Sequence, residues 1–215
     1  MKSDALRARL SLVQWLSPAF PIGAFAYSSG LETAVAEGAV GSAAELELWL
    51  DGVLRFGSGR QDAALLCAAM APDADLAGLS ALARALAPSA ERLKETEEQG
   101  DAFARTVTGA TGVECIPAPL PVALGAAAAQ LGADAQEVAA LYLQAFAGTL
   151  VSAAIRLVPL GQTEGQRVIA RLQGTILAIA AAAPGTDPAA IGSAAFGADL
   201  ASAAHETLQP RLFLT

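Results

Sequence analysis

Few residues in this 215-residue chain are suited to chemistry, and their spacing fits no catalytic pattern. There is one histidine, His205, and two cysteines, Cys67 and Cys115. His205-Glu206 begins like the zinc-protease motif HExxH, but Gln209 stands where the second histidine ligand belongs. One imidazole cannot build a histidine cage within one protomer, and the paired ExxH motifs of a di-iron bundle are missing. Gly57-Ser58-Gly59 starts a GxGxxG, but Asp62 fills the last glycine's place and no strand is predicted before it. GQTEGQR (161–167) lacks the GK[ST] ending of a phosphate loop. No nucleophile elbow accompanies His205. Cys67, inside AALLCAAMA, reads as a buried, inert thiol, and two unpaired cysteines fit a reducing compartment. An enzyme is the weaker class on these residues.

Two apolar segments and one cation look unlike core. The loop FPIGAFAYSSGLE (20–32) holds Phe20, Phe25 and Tyr27, three of eleven aromatic residues. Loops run over surfaces and are usually polar, so one this apolar is either tucked under or pressed against something. The C-terminal peptide HETLQPRLFLT (205–215) leaves Leu212, Phe213 and Leu214 beyond a proline break at Pro210, where chain ends are ordinarily polar and frayed. An apolar terminal peptide flanked by Arg211 suits docking in a partner's groove, and residues 206–215 are expected to act as such a tail. Folding back on its own protomer is the other reading. Arg156 is the first basic residue after Arg105, near the end of a very apolar helix, where a cation also complements the helix dipole.

The elements that must position these residues are helical. Alanine occupies 53 positions and asparagine none; 54% of residues are hydrophobic, 5% aromatic and 16% charged. Alanine is the strongest helix former, whereas sheets need β-branched and aromatic residues. The net charge of −8, with thirteen scattered Lys and Arg, offers no clustered cations for nucleic-acid phosphates. Helical spacing of Leu6, Leu10, Val13 and Leu16 marks a first helix ending near Pro18. A short helix is expected from Ser28 or Ser29 to Glu37. Ser42-x-x-Glu45 is a capping box, and Gln61–Ala71 reads as the next helix. Asp73 is expected to cap a fifth. The charged run from Ser89 to Thr108 reads as a helix with a solvated face, carrying Glu91/Glu95 and Lys94/Glu98 four apart. Pro117 to Pro121 form a linker. Asp134-x-x-Glu137 opens a long apolar helix reaching Val158, Thr163 opens another, and Asp187-Pro188 is expected to start the last, ended by Pro210. The sum is an all-α, single-domain bundle of about ten helices over residues 1–215.

Three uncharged stretches imitate membrane segments. Leu10 to Leu31 follows basic residues and carries an A-x-A site, but Gln14, Ser17, Pro18 and Pro21 interrupt it. Val138 to Ile155 has spanning length, yet alanine and polar residues dilute it, as in a central bundle helix apolar on all sides. Cys115 to Ala133 is broken by three prolines. No membrane span is expected.

FPIGAFAYSSGLE (20–32), IRLVPLGQTEGQRVI (155–169) and ASAAHETLQPRLFLT (201–215), with the acidic helix around ETEEQG (95–100), resemble in order and spacing the signature stretches of the urease accessory protein UreF family. The likeness spans nearly the whole chain. It departs at Ala204, where relatives usually carry arginine, at Ala26, where serine is usual, and at the LFLT ending, where a basic residue is usual. The resemblance implies an all-α, cytoplasmic, dimeric maturation factor without catalysis of its own. It implies partners: UreD (also called UreH), the GTPase UreG, which hydrolyses GTP, and the urease apoprotein, with nickel brought by UreE. It implies no tightly bound cofactor, nickel being handled by the complex, with at most a transient contact at His205. Matching to the signature stretches gives Tyr27, Glu32, Arg156, His205, Glu206, Arg211, Leu212 and Phe213 as candidate partner contacts. A helical-bundle enzyme or cofactor carrier is the alternative class; it would need motifs such as DDxxD or axial ligands, and neither occurs.

Overall fold

The computed structural model describes residues 2–215, and among these it contains ten α-helices and no strand. They are α1 (Lys2–Trp15), α2 (Leu31–Ala36), α3 (Ala43–Phe56), α4 (Ser58–Ala69), α5 (Leu76–Ala85), α6 (Ala90–Thr111), α7 (Leu120–Gln130), α8 (Ala135–Leu157), α9 (Gln162–Ala182) and α10 (Phe196–His205). Short 3-10 turns lie at Ala24–Ala26, Ala183–Gly185 and Pro188–Ala190. The all-α expectation and its helix count agree with this.

Local chemistry sets most boundaries. Ser42 Oγ accepts the Glu45 amide, Ser89 Oγ the Arg92 amide and an Asp134 carboxylate oxygen the Glu137 amide, each relieving a helix N-terminus of an unpaired donor. Several boundaries differ from expectation. Asp75, not Asp73, caps α5, because its carboxylate reaches the Gly78 amide. Pro121 lies in the first turn of α7 rather than in a linker; a missing N–H costs nothing there. Asp187 caps only the turn Pro188–Ala190, and α10 begins later, at Phe196. The chain between them spends the Ala194 amide on the Phe56 carbonyl at the end of α3. It is tied across the bundle and does not continue as helix. α10 then stops at His205, five residues before Pro210.

α8 is the central helix and packs against α1, α2, α3, α4 and α9. Alanine and glycine allow some very close approaches. A Cβ on Gly125 of α7 would lie 2.3 Å from the Leu66 carbonyl oxygen of α4. One on Gly100 of α6 would lie 1.8 Å from the Ala118 oxygen, so the strand-like run before α7 lies directly on α6. Trp15 and Phe103 meet edge to face at 5.6 Å, with Phe20 also against Phe103 at 5.9 Å. This cluster draws α1, the following loop and α6 together.

α8 and α9 are long and apolar enough to cross a bilayer by length and composition. In the fold both pack within the bundle, α8 with half of its most apolar window buried. Cys67 is buried as expected, and burial pushes its thiol up to about 11.

Candidate functional site

The apolar loop, the acidic helix and the C-terminal tail converge on one side of the bundle. Gly30, at φ 80°, turns the loop into α2 against α10; a Cβ there would meet the Ser202 amide nitrogen at 2.7 Å. This close approach brings Glu32, in the first turn of α2, beside His205, the last residue of α10.

The polar centre is built around these two residues. His205 is fully buried, with Nδ1 2.7 Å from Glu91 Oε2 and Nε2 3.1 Å from Glu32 Oε2. Glu32 also accepts the backbone amides of Leu212, at 2.7 Å, and Phe213, at 3.0 Å. Arg211 pairs with the other oxygen of Glu91. Glu206 accepts the Ala90 amide at 2.8 Å, at the start of α6. Burial by itself raises the Glu32 carboxyl, but the hydrogen bonds from Leu212, His205 and Phe213 outweigh it and hold the group below its ordinary range.

The tail then runs along the loop. The Leu214 amide donates to the Ala26 carbonyl at 2.7 Å, and the Ser28 amide to the Thr215 carbonyl at 2.8 Å. The Ser28 hydroxyl also donates to the Thr215 carbonyl, and Thr215 Oγ1 to Glu95 Oε2 at 3.0 Å. Side chains alternate along this extended run: Phe213 and Thr215 are buried, while Leu212 and Leu214 are 74% and 50% exposed. Ala26 takes part through its carbonyl alone, so its side chain is not needed for this contact.

A second buried cluster lies beneath. Arg92 reaches Asp62 at 3.2 Å and Glu95 at 3.4 Å; Tyr142 donates to Asp62 at 2.6 Å and Gln99 to Glu95 at 3.2 Å. Burial pushes both carboxyls up against the pull of Arg92. At the rim, the Tyr27 hydroxyl donates to Glu98 at 2.7 Å, and burial together with that carboxylate raises the phenol. Arg156, exposed at the end of α8, lies 6.0 Å from the Phe25 ring and 5.8 Å from the Phe213 ring. Its guanidinium also donates to the Phe25 carbonyl at 3.4 Å. It clips loop and tail together.

All eight residues singled out from the sequence therefore fall in one region, but in two roles. Tyr27, Glu32, His205 and Phe213 have their side chains inside the protomer. Arg156, Glu206, Arg211 and Leu212 face outward, alongside Phe25 and Leu214. The expectation that Phe213 is exposed on a projecting tail is corrected: residues 211–215 lie back on their own protomer because Glu32 and Ser28 satisfy their backbone. Both nitrogens of the His205 ring face carboxylates, Glu91 on one side and Glu32 on the other.

Sequence reasoning missed Ser28, Asp62, Glu91, Arg92, Glu95 and Thr215. A solvated face is what Lys94 and Glu98 of α6 form, but not the helix's other side. A signal was available: Arg92, Glu95, Gln99, Phe103 and Val107 follow helical spacing, so the buried face of Phe103 and Val107 extends back through the charged residues.

Comparison with known proteins gives a consistent result. Residues 40–173 match the family model described as UreF. A urease accessory protein UreF of Cereibacter sphaeroides is 60% identical over 209 residues, covering 97% of this chain and 99% of that protein. The protein of the same name from a Jannaschia species is 51% identical, covering 96% of this chain and 94% of its own length. That of Roseobacter denitrificans is 42% identical, covering 100% and 96% respectively.

Proposed function

We propose the following role for the chain, which belongs to the UreF family of urease accessory proteins: it is the bridging subunit of the assembly that matures urease. In this reading it joins a UreD/UreH-type protein to the GTPase UreG while nickel is delivered to apo-urease. GTP hydrolysis and nickel handling then belong to the partners and the complex, and the chain works in the cytoplasm as a dimer.

The observation that carries this reading is the composite surface formed where loop and tail meet. Phe25, Arg156, Leu212 and Leu214 stand outward on a base fixed by buried hydrogen bonds. Apolar side chains presented this way, with an arginine between them, have the make-up of an interface hot spot. Beneath it, Glu32 accepts the Leu212 and Phe213 amides and so holds the backbone of the tail. Pairing of two copies is supported by a separate feature, the exposed ridge of Leu6, Leu10 and Val13 on α1. It borders a groove of about 450 Å³ between α1, α8 and α9.

The test uses surface substitutions, because deleting 206–215 would also remove Phe213 from the core. The double variant Leu212→Asp, Leu214→Asp should fold as the parent, fail to co-purify with the UreD-type partner and fail to restore urease activation in a host lacking its own UreF. Undiminished co-purification and activation would overturn the reading.

A further inference from the structure

We propose that the groove between α3 and the start of α10 is a docking site for a basic amphipathic helix of a partner protein. This face lies away from the meeting of loop and tail, at the other end of α10, whose ten residues rise about 15 Å. The inference holds whatever that other surface binds.

Two apolar sides of one helix carry it. Leu46, Leu50, Val53 and Leu54 of α3 are buried in the bundle, as the core side of a surface helix should be. The side left to solvent should then be polar, yet Leu48 and Phe56 are exposed and Trp49 is half-buried. These three border a groove of about 410 Å³, and the exposed Phe196 borders it from α10. Leu200, one turn further along α10, is exposed as well. Single exposed apolar residues are ordinary on a protein surface, whereas several large ones around one groove mark an interaction site.

The shape of the groove suits a helix. Its α3 side follows helical spacing, with Leu48, Gly52 and Phe56 four apart. Large side chains alternate there with open notches: a Cβ added at Gly52 of α3 or Gly197 of α10 would meet no atom within 4 Å. An incoming helix with large apolar residues three and four apart seats them in such notches, as ridges fit grooves.

Charge selects a basic occupant. Glu45 lines the groove, Glu37 lies two positions before the lining residue Ala39, and Asp199 lies next to the lining residue Ala198. The Gly41 amide and the Ser42 hydroxyl hold the Glu45 carboxyl below its ordinary range, so it stays ionised. Arg55, next to Phe56, is spent on Asp51 of the same helix, and Arg60 lines the neighbouring groove against α9. The complementary helix therefore carries Lys or Arg beside its apolar ridge. An anionic membrane would be repelled by the same carboxylates. A second copy could offer the ridge of Leu6, Leu10 and Val13 on α1, beside Arg7 and Arg9. Seated here it would make a head-to-tail contact that leaves one groove and one ridge unfilled, and so builds rings or open chains instead of a two-fold dimer.

The test uses the full-length protein and a synthetic amphipathic helical peptide of lysine and leucine, with a glutamate–leucine peptide of the same pattern as control. The lysine peptide should bind, should weaken as salt is raised, and should shift the amide resonances of residues 48–56 and 194–198. The glutamate peptide should not bind. Gly52→Leu fills the notch; its Cβ has room and leucine is the better helix former, so the variant should fold. It should weaken the lysine peptide roughly tenfold or more, the scale of an overfilled contact. Glu37→Gln with Asp199→Asn should flatten the salt dependence. In a host lacking its own UreF, Gly52→Leu should lower urease activation. The Leu212→Asp, Leu214→Asp variant should bind the peptide as the parent does, so the two faces fail separately. Equal binding of the glutamate peptide would overturn the inference, as would resonance shifts spread over other acidic surface. So would undiminished binding or full activation by Gly52→Leu. A changed oligomeric state in Gly52→Leu would overturn it in favour of a second copy, and loss of binding to phosphatidylcholine vesicles in favour of a membrane.

Discussion

Glu32 and Leu212 lie 180 positions apart and are joined by a 2.7 Å hydrogen bond from the Leu212 amide to the Glu32 carboxylate. The same carboxylate takes the Phe213 amide and touches His205, so one buried side chain holds the loop end, the last helix and the tail. Its removal strands three donors. Glu32→Ala should cost about 3 kcal/mol, the scale of breaking a buried hydrogen-bonded charge pair. For a chain of this size that is a fall in melting temperature of roughly 6–12 °C, measurable by calorimetry.

The pH dependence of that contribution has a defined sign. Glu32 is held below its ordinary value in the folded protein, so its contribution is complete above the unfolded carboxylate's titration and is lost as pH falls through the lower, folded value. The melting temperature of the parent should therefore drop more steeply in acid than that of Glu32→Gln. Parallel curves would contradict this.

Gly100→Ala tests the contact between α6 and the run before α7. In a helix interior alanine is ordinarily favoured over glycine by about 1 kcal/mol. Here the new Cβ would lie 1.8 Å from the Ala118 oxygen, and backbone must move. The overpacking should win, giving net destabilisation of about 3 kcal/mol in denaturant titration. A neutral or stabilising result would show that the two elements separate freely.

Arg92→Met should be the most damaging single change in the lower cluster, because it leaves Asp62 and Glu95 buried without their cation. A loss of about 3–5 kcal/mol is expected near neutral pH. Burial already raises both carboxyls, and protonation relieves an unpaired buried anion. The difference from the parent should therefore narrow as pH is lowered, as followed by unfolding at several pH values.

Arg156→Ala should behave differently, since the side chain is exposed and its contacts are two ring faces and a carbonyl. Stability should change by less than about 1 kcal/mol. Binding to the UreD- or UreG-type partner should weaken, and Arg156→Lys should recover it only in part, because an ammonium lacks the planar face. Full binding by Arg156→Ala in co-purification would remove this residue from the interface.

The sequence by itself determined the helices and most of their ends. Alanine content, the spacing of Leu46, Leu50, Val53 and Leu54, and the caps Ser42, Ser89 and Asp134 act within one or two turns, so they are legible locally. It also marked the three segments that make the site. Tertiary structure alone decided how those segments meet and which of their side chains turn inward. Charged residues such as Glu32 and Asp62 are buried only because partners from distant elements satisfy them, and sequence spacing carries no record of those partners. The Ser28–Thr215 pair, 187 positions apart, is such a case. Its two residues are small and polar, and nothing local distinguishes them from solvated loop residues. Their role arises once Gly30 lets α2 press against α10, placing the end of the chain over its own loop.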